Sequence, residues 1–157
     1  IDETRGYELR NFQLVQPYNN ANFWKLYGDA FITRSRIRLT RDEMSLNGSV
    51  WSNGRLQIRD WEIQVPVQIV SNSAADGVAI WYTRSLGTGT AWGAPSSFSG
   101  IGVVLDTYVN NVDDNRGHQS TRLFILFNSD VKEKEVDSNM DGSNMMFGEK
   151  CDLGYVP

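Results

Sequence analysis

The sequence predicts an all-β fold: a two-sheet antiparallel β-sandwich, formed by one domain across residues 1–157. Helical periodicity is weak throughout, whereas apolar and polar residues alternate across residues 61–70. Further along, short apolar runs recur, and 14 glycines together with many Asn and Ser residues provide turns between them. Half-buried and fully buried strands in one chain indicate two packed sheets.

The first strands are short and lie at residues 37–39 and 49–51, followed by an Asn-Gly turn signal at residues 53–54. Residues 61–70 then predict a half-buried strand with period two. Pro66 within it cannot donate to a ladder, which favours a bulge or an unpaired edge. The side chains predicted to face the core are Trp61, Ile63, Val65, Val67 and Ile69.

The next strands, at residues 78–82, 101–105 and 123–127, are apolar on both faces. Such runs predict strands that are covered on both sides. The longest loop, residues 85–99, is rich in Gly, Ser and Thr. A loop of this length in a compact domain is often functional.

Composition and motifs exclude several classes of function. The net charge is −4 and no basic block is present, which argues against nucleic acid as a partner. No apolar run approaches the roughly 20 residues of a membrane span. The single His118 lies in a polar stretch, and no Cys-x-x-Cys, phosphate-binding loop or His-x-x-x-His zinc pattern occurs.

Acidic and amide residues lie at the ends of two apolar strands. Asp76 precedes the strand at 78–82, and Asp106, Tyr108 and Asn110 follow the strand at 101–105. Oxygen ligands of this kind suit a hard cation such as calcium, and a spare carboxylate accepts hydrogen bonds from sugar hydroxyls. The same residues also suit an ordinary turn, so the local pattern leaves both interpretations open.

A second acidic loop, residues 137–142, follows the next buried strand and alternates oxygen-bearing residues before Gly142. Its opening is superficially like that of an EF-hand. However, it has no Glu at the twelfth position and no flanking helical pattern, which argues against an EF-hand. A second oxygen-rich loop strengthens the cation-site interpretation.

These motifs resemble the L-type (leguminous-type) lectin domain of cargo-receptor lectins of the early secretory pathway, and are most similar to the vesicular integral-membrane lectin branch. The resemblance covers nearly the whole chain and implies a concanavalin-like jelly roll. The similar segments are LVQPY at 14–18, FW at 23–24, ADGVAIWYTR at 75–84, GVVLDTY at 102–108 and DG at 141–142.

The resemblance implies a calcium site and assigns its ligands. Asp106, Asn110 and Asp141 would bind calcium through their side chains, and Tyr108 through its carbonyl oxygen. Asn110 would touch both the ion and the sugar. The face of the Tyr108 ring is a candidate for packing against the sugar.

The resemblance also implies a sugar site. Asp76 would accept mannose hydroxyls and would follow a cis peptide bond after Ala75. Asp29 matches a position that borders the sugar groove. Ser138 stands where the family usually has a His, which removes an imidazole that titrates near neutrality, although a serine hydroxyl still hydrogen-bonds to sugar.

Cys151 is the only cysteine. The residues alone leave two options open, a buried free thiol or half of a disulfide whose partner lies beyond Pro157. The resemblance implies the disulfide, because the family domain continues past its first Cys. We therefore expect the domain to be incomplete at its C-terminus.

The implied partners are high-mannose glycans of glycoproteins, bound without a chemical step in the lumen of the early secretory pathway (endoplasmic reticulum, intermediate compartment or Golgi). The segment itself would not contact the membrane, although the resemblance implies a downstream transmembrane anchor. Two alternatives remain: a glycoside hydrolase on the same jelly roll, or a structural or assembly module that has lost sugar binding. Paired catalytic carboxylates are not evident in the sequence, which disfavours the hydrolase.

Overall fold

The structure is a computed structural model that describes residues 8–70, 75–84, 86–111, 116–129, 135–137 and 141–154. Within these ranges the regular structure is almost entirely β, with two single 3-10 turns at Arg10–Phe12 and Ala21–Phe23. The strands are β1 (Trp24–Gly28), β2 (Phe31–Ile32), β3 (Ile37–Arg38), β4 (Gly48–Ser52), β5 (Gly77–Thr83), β6 (Gly100–Asn111), β7 (Arg116–Asn128) and β8 (Met146–Gly154). No helix among the described residues is long and apolar enough to cross a membrane.

All strand pairs in the described ranges are antiparallel. Strands β5, β6, β7 and β8 form a four-stranded sheet in sequence order, while β1 pairs with β4 and β2 with β3. The predicted all-β antiparallel class is therefore confirmed. The short strands predicted at 37–39 and 49–51 correspond to β3 and β4, and the three apolar runs to β5, β6 and β7.

One face of the four-stranded sheet carries the core. Val104, Phe124 and Leu126 point to this face and are almost completely buried. They are covered by the loop before β6, in which Trp92 packs edge-on against Phe124 with ring centroids 5.7 Å apart. Phe98 from the same loop meets Trp81 of β5 at 4.9 Å. Burial of each such side chain contributes about 1.5–3 kcal/mol to the free energy of unfolding. The long loop therefore stabilises the fold by covering this face of the sheet.

The opposite face of the same sheet is exposed, and here the expectation of cover on both sides is wrong. Successive side chains of a strand point to opposite faces, so Val103 of β6 and Ile125 and Phe127 of β7 lie opposite the core. Their exposed fractions are 37%, 40% and 48%. The two-sided apolar pattern predicts a second layer on this face. Within the described residues, no strand covers it in the way that the loop before β6 covers the core face.

The prediction for residues 61–70 is also wrong in its details. This segment contains neither helix nor assigned strand, and all five side chains predicted to face the core are exposed. Trp61 contacts the ring of Tyr82 with a centroid separation of 5.1 Å. No described strand pairs with the segment, so its backbone lacks the ladder that would make it a regular strand. Alternation predicts which side chains share a face of a strand, but it does not show which strand pairs with it.

Candidate functional site

The site lies where the start of β5 meets β6. Gly77 pairs with Asp106 across the two strands, and the Thr107 N–H donates to the Asp76 carbonyl oxygen at 3.0 Å. A Cβ on Gly77 would stand 2.2 Å from the Leu105 carbonyl oxygen, and its φ is 143°, so only glycine allows this close approach of the two backbones. The Ala75–Asp76 peptide is cis, as predicted.

Asp106 is the most buried carboxylate of the site, with an exposed fraction of 1%. Its Oδ1 accepts a hydrogen bond from the Tyr108 N–H at 3.0 Å, at the point where the β6–β7 register shifts. Its Oδ2 is buried and has no hydrogen-bond partner. Burial is the main cause that raises the Asp106 pKa to about 7; the Asp141 and Asp76 charges raise it further, against the Tyr108 hydrogen bond and Arg122.

Asp141 reaches the site from the loop before β8. Its Oδ1 accepts hydrogen bonds from both the backbone N–H and the side-chain Nδ2 of Asn110, at 3.2 and 2.8 Å. Asp141 and Gly142 both have positive φ, and a Cβ on Gly142 would lie 2.9 Å from a methyl group of Leu126. The tight turn therefore sits directly on the core, which fixes Asp141 beside β6.

Asp76 completes the cluster from the β5 side. Its side chain is exposed. Partial desolvation, and then the nearby Asp141 charge, raise the pKa of Asp76. An accessible carboxylate beside two buried ones, Asp106 and Asp141, is available to a ligand from solvent.

Arg122 is a member of the site that the sequence interpretation missed. Its Nη1 lies 3.5 Å from Asp141 Oδ2, and its Nε donates to Asp152 Oδ1 at 2.8 Å. The available signal was a charged residue at the start of the apolar run at 123–127. Arg122 also lies directly opposite Asp106 in the β6–β7 ladder.

The donor set fits a hard cation. Asp106 and Asp141 are buried carboxylates close enough to repel one another, and one oxygen of Asp106 has no partner. A buried, unsatisfied carboxylate oxygen is costly unless a cation or donor neutralises it. The described residues contain no cluster of three or more His, Cys, Asp or Glu arranged around a metal position. This set instead combines two carboxylates with an amide and a carbonyl, a mixture that calcium accepts.

Other predicted residues have different partners or fall outside the described part of the chain. Asp29 is held to Asn47, whose N–H donates to Asp29 Oδ2 at 3.1 Å. Ser138 falls outside the described residues. Cys151 lies in β8 and is exposed, so the buried-thiol option is wrong, while its disulfide stays a prediction.

The raised pKa of Asp106 predicts how the metal-free protein responds to pH. The folded state binds the Asp106 proton more tightly than the unfolded chain, whose carboxyl titrates near its ordinary value of 3.8. The free energy of unfolding should therefore fall as pH rises from about 4 to about 7. Thermal melts in chelator between pH 5 and 8 should show the higher melting temperature at pH 5. A melting temperature that rises across this interval would contradict the assignment.

Asp106, Tyr108 and Asn110 lie within β6, and Asp141 joins them from the loop before β8. An antiparallel β fold with such an oxygen-rich cluster has the features expected of a lectin of the leguminous type. The model of the legume-like lectin family matches residues 4–157, and the chain belongs to this family. It is 36% identical over 118 residues to the VIP36-like protein of Bos taurus, covering 69% of this chain and 34% of that protein. It is 31% identical over 108 residues to Protein ERGIC-53 of Mus musculus, covering 67% of this chain and 21% of that protein.

Solved structures agree with this membership. The exoplasmic/lumenal domain of VIP36 in its form bound to calcium and Man3GlcNAc superposes with a TM-score of 0.75 at 27% identity, covering 93% of this chain and 60% of that one. Its metal-free form superposes with a TM-score of 0.67 at 29% identity, covering 85% of this chain and 56% of that one. This chain thus spans about a third or less of the curated relatives it matches and about 60% of the solved domain.

Proposed function

We propose that this chain is a carbohydrate-recognition domain that binds high-mannose N-glycans of glycoproteins in a calcium-dependent manner. The observation that carries the proposal is the convergence of Asp76, Asp106 and Asp141 at one end of the four-stranded sheet, with Asn110 hydrogen-bonded to Asp141. One carboxylate is exposed while two are buried, which separates a ligand-facing group from cation-facing groups.

Asp106, Asn110 and Asp141 are assigned to calcium, with the Tyr108 carbonyl oxygen as a further ligand. Calcium, when bound, supplies the positive charge that the buried carboxylates lack and fixes the segment carrying Asn110. Asp76 is then held beside Asn110 as a preorganised acceptor for sugar hydroxyls. Hydrogen bonds to an ionised acceptor are stronger than those between neutral groups, so Asp76 carries much of the sugar affinity.

The solved relatives support both ligands. The lumenal domain of VIP36 has been determined with calcium and with mannose, Man2 and Man3GlcNAc. The same relatives support recognition without a chemical step, and a location in the lumen of the early secretory pathway. From the family resemblance we further propose that Asp29 borders the sugar groove, that Ser138 hydrogen-bonds to sugar, and that Cys151 forms a disulfide.

A glycan array probed with and without chelator tests the function. The full-length protein that contains this chain should bind mannose-rich glycans in calcium and lose the signal in chelator. Binding that persists in chelator would contradict the calcium mechanism. Release of reducing sugar from mannan would support the hydrolase, and a folded protein that binds no glycan in calcium would support a structural module.

A further inference from the structure

We infer that Arg122, held by Asp152, is a built-in counter-ion of the calcium site, which stabilises the site when calcium is absent and lowers its affinity for calcium. The inference rests on the proposed calcium site. It concerns how tightly that site holds its ion, and the assigned ligands do not include either residue.

The register places Arg122 at the centre of the acidic groups. Arg122 of β7 is paired with Asp106 of β6 on one side and with Asp152 of β8 on the other. Cross-strand partners point to the same face of a sheet, so the Arg122 side chain leaves the sheet on the same face as both carboxylates. From there its Nη1 reaches Asp141 Oδ2 at 3.5 Å.

The burial of the two ion pairs differs and sets their roles. The side chains of Arg122 and Asp141 are 18% and 12% exposed, whereas Asp152 is 62% exposed. Charges interact more strongly when they are shielded from water. The Arg122–Asp141 pair is therefore the one coupled to the site, and Asp152 acts from the solvent side to orient Arg122 and to reduce its net positive field.

The direction of the effect follows from Coulomb's law. Without calcium, the guanidinium offsets the repulsion among Asp76, Asp106 and Asp141, and it lowers the pKa of Asp106. With calcium bound, the same positive charge would lie near a divalent cation and oppose its binding. A group that stabilises the empty site and repels the ion lowers the affinity on both counts.

Two substitutions with opposite expected signs test the counter-ion. Arg122→Gln should tighten calcium binding about tenfold at low ionic strength, because a positive charge close to the ion is removed. Asp152→Asn should weaken calcium binding about threefold, because Arg122 loses the partner that partly neutralises it. Calcium affinity is measured by titration calorimetry on the full-length protein, and thermal melts in chelator report the stability of the empty site.

The chain offers matched controls in an exposed surface ion pair, Arg41–Glu43, with N–O separation 3.5 Å. Arg41→Gln and Glu43→Gln make the same net-charge changes and should leave calcium affinity within about twofold of the unsubstituted protein. In chelator, Arg122→Gln should melt at a lower temperature than Arg41→Gln. Arg122→Lys keeps the charge, so its calcium affinity and its melting temperature in chelator should be closer to those of the unsubstituted protein than the values of Arg122→Gln.

The outcomes separate a counter-ion from a purely structural residue. Weaker calcium binding in both Arg122→Gln and Asp152→Asn would overturn the inference. If the ion pair were purely structural, loss of either partner would weaken the site. High salt should shrink both affinity changes, because screening acts on charge and not on packing. If Arg122→Gln does not fold, Arg122→Lys and Asp152→Asn carry the test. If the unsubstituted protein binds no calcium, the proposed function fails, and the melts in chelator still decide whether Arg122 stabilises the carboxylates.

Discussion

Replacing Asp106 with Asn is expected to reduce calcium affinity by at least about 100-fold, a loss of roughly 3 kcal/mol in binding free energy. Asp106 is 1% exposed and its Oδ2 has no hydrogen-bond partner in the protein, so this oxygen is available to the ion. The amide keeps the shape of the side chain and its acceptor for the Tyr108 N–H but removes the negative charge that attracts the ion.

The same substitution should not lower the stability of the metal-free protein, although it lowers the affinity for calcium. At pH 8 the Asp106 carboxyl is ionised in a buried position, because its pKa is about 7. Removing that charge relieves its cost, so the melting temperature of Asp106→Asn in chelator should be no lower than that of the unsubstituted protein. Calcium should then raise the melting temperature of the unsubstituted protein and not that of the variant.

Asp60→Asn is the matched control, because Asp60 is an exposed acidic residue outside the cluster. It makes the same change in charge and should retain the full calcium-induced rise. Two results would contradict the ligand assignment: an unsubstituted protein that melts identically in calcium and in chelator, or an Asp106→Asn variant that keeps the rise.

The sequence predicted the fold class and the convergence at the site because both follow from local patterns. Apolar runs with both faces apolar identify β5, β6 and β7. Asp76 immediately precedes β5, and pairing of β5 with β6 brings it beside Asp106, which lies within β6 because that strand continues past the predicted end at residue 105. The cross-strand pairing of Gly77 with Asp106 places the residue after Asp76 directly opposite Asp106.

Long-range pairing accounts for what the sequence did not predict. Arg122 joins the site through its register with Asp106 and Asp152, which no local pattern specifies. Trp92 and Phe98 lie in the long loop that the sequence singled out only for its length and composition, and they cover the core. The alternation at residues 61–70 overestimated burial, since burial depends on what packs against the segment and not on its pattern alone.

Replacing Asp76 with Asn is expected to abolish measurable mannose binding while leaving calcium bound. The Asp76 side chain is exposed, so the substitution does not disturb the core, and its backbone oxygen keeps the hydrogen bond from Thr107. A hydrogen bond to a charged group is worth about 1.5–3 kcal/mol, so loss of an ionised acceptor for sugar hydroxyls costs on the order of 10- to 150-fold for each such bond.

Calcium affinity should fall by no more than about threefold in Asp76→Asn, because a nearby negative charge is lost but no assigned ligand is removed. This separates Asp76 from Asp106, whose substitution should remove both activities together. Asp29→Asn is the informative comparison: Asp29 Oδ2 already accepts a hydrogen bond from the Asn47 N–H, so its change should weaken mannose binding much less. The measurements are mannose titration at saturating calcium and calcium titration without sugar. Mannose binding that survives Asp76→Asn would show that Asp76 is not the sugar acceptor. Calcium binding that is lost in Asp76→Asn would show that Asp76 is itself needed for the ion. Either result would contradict the division of roles between exposed Asp76 and buried Asp106.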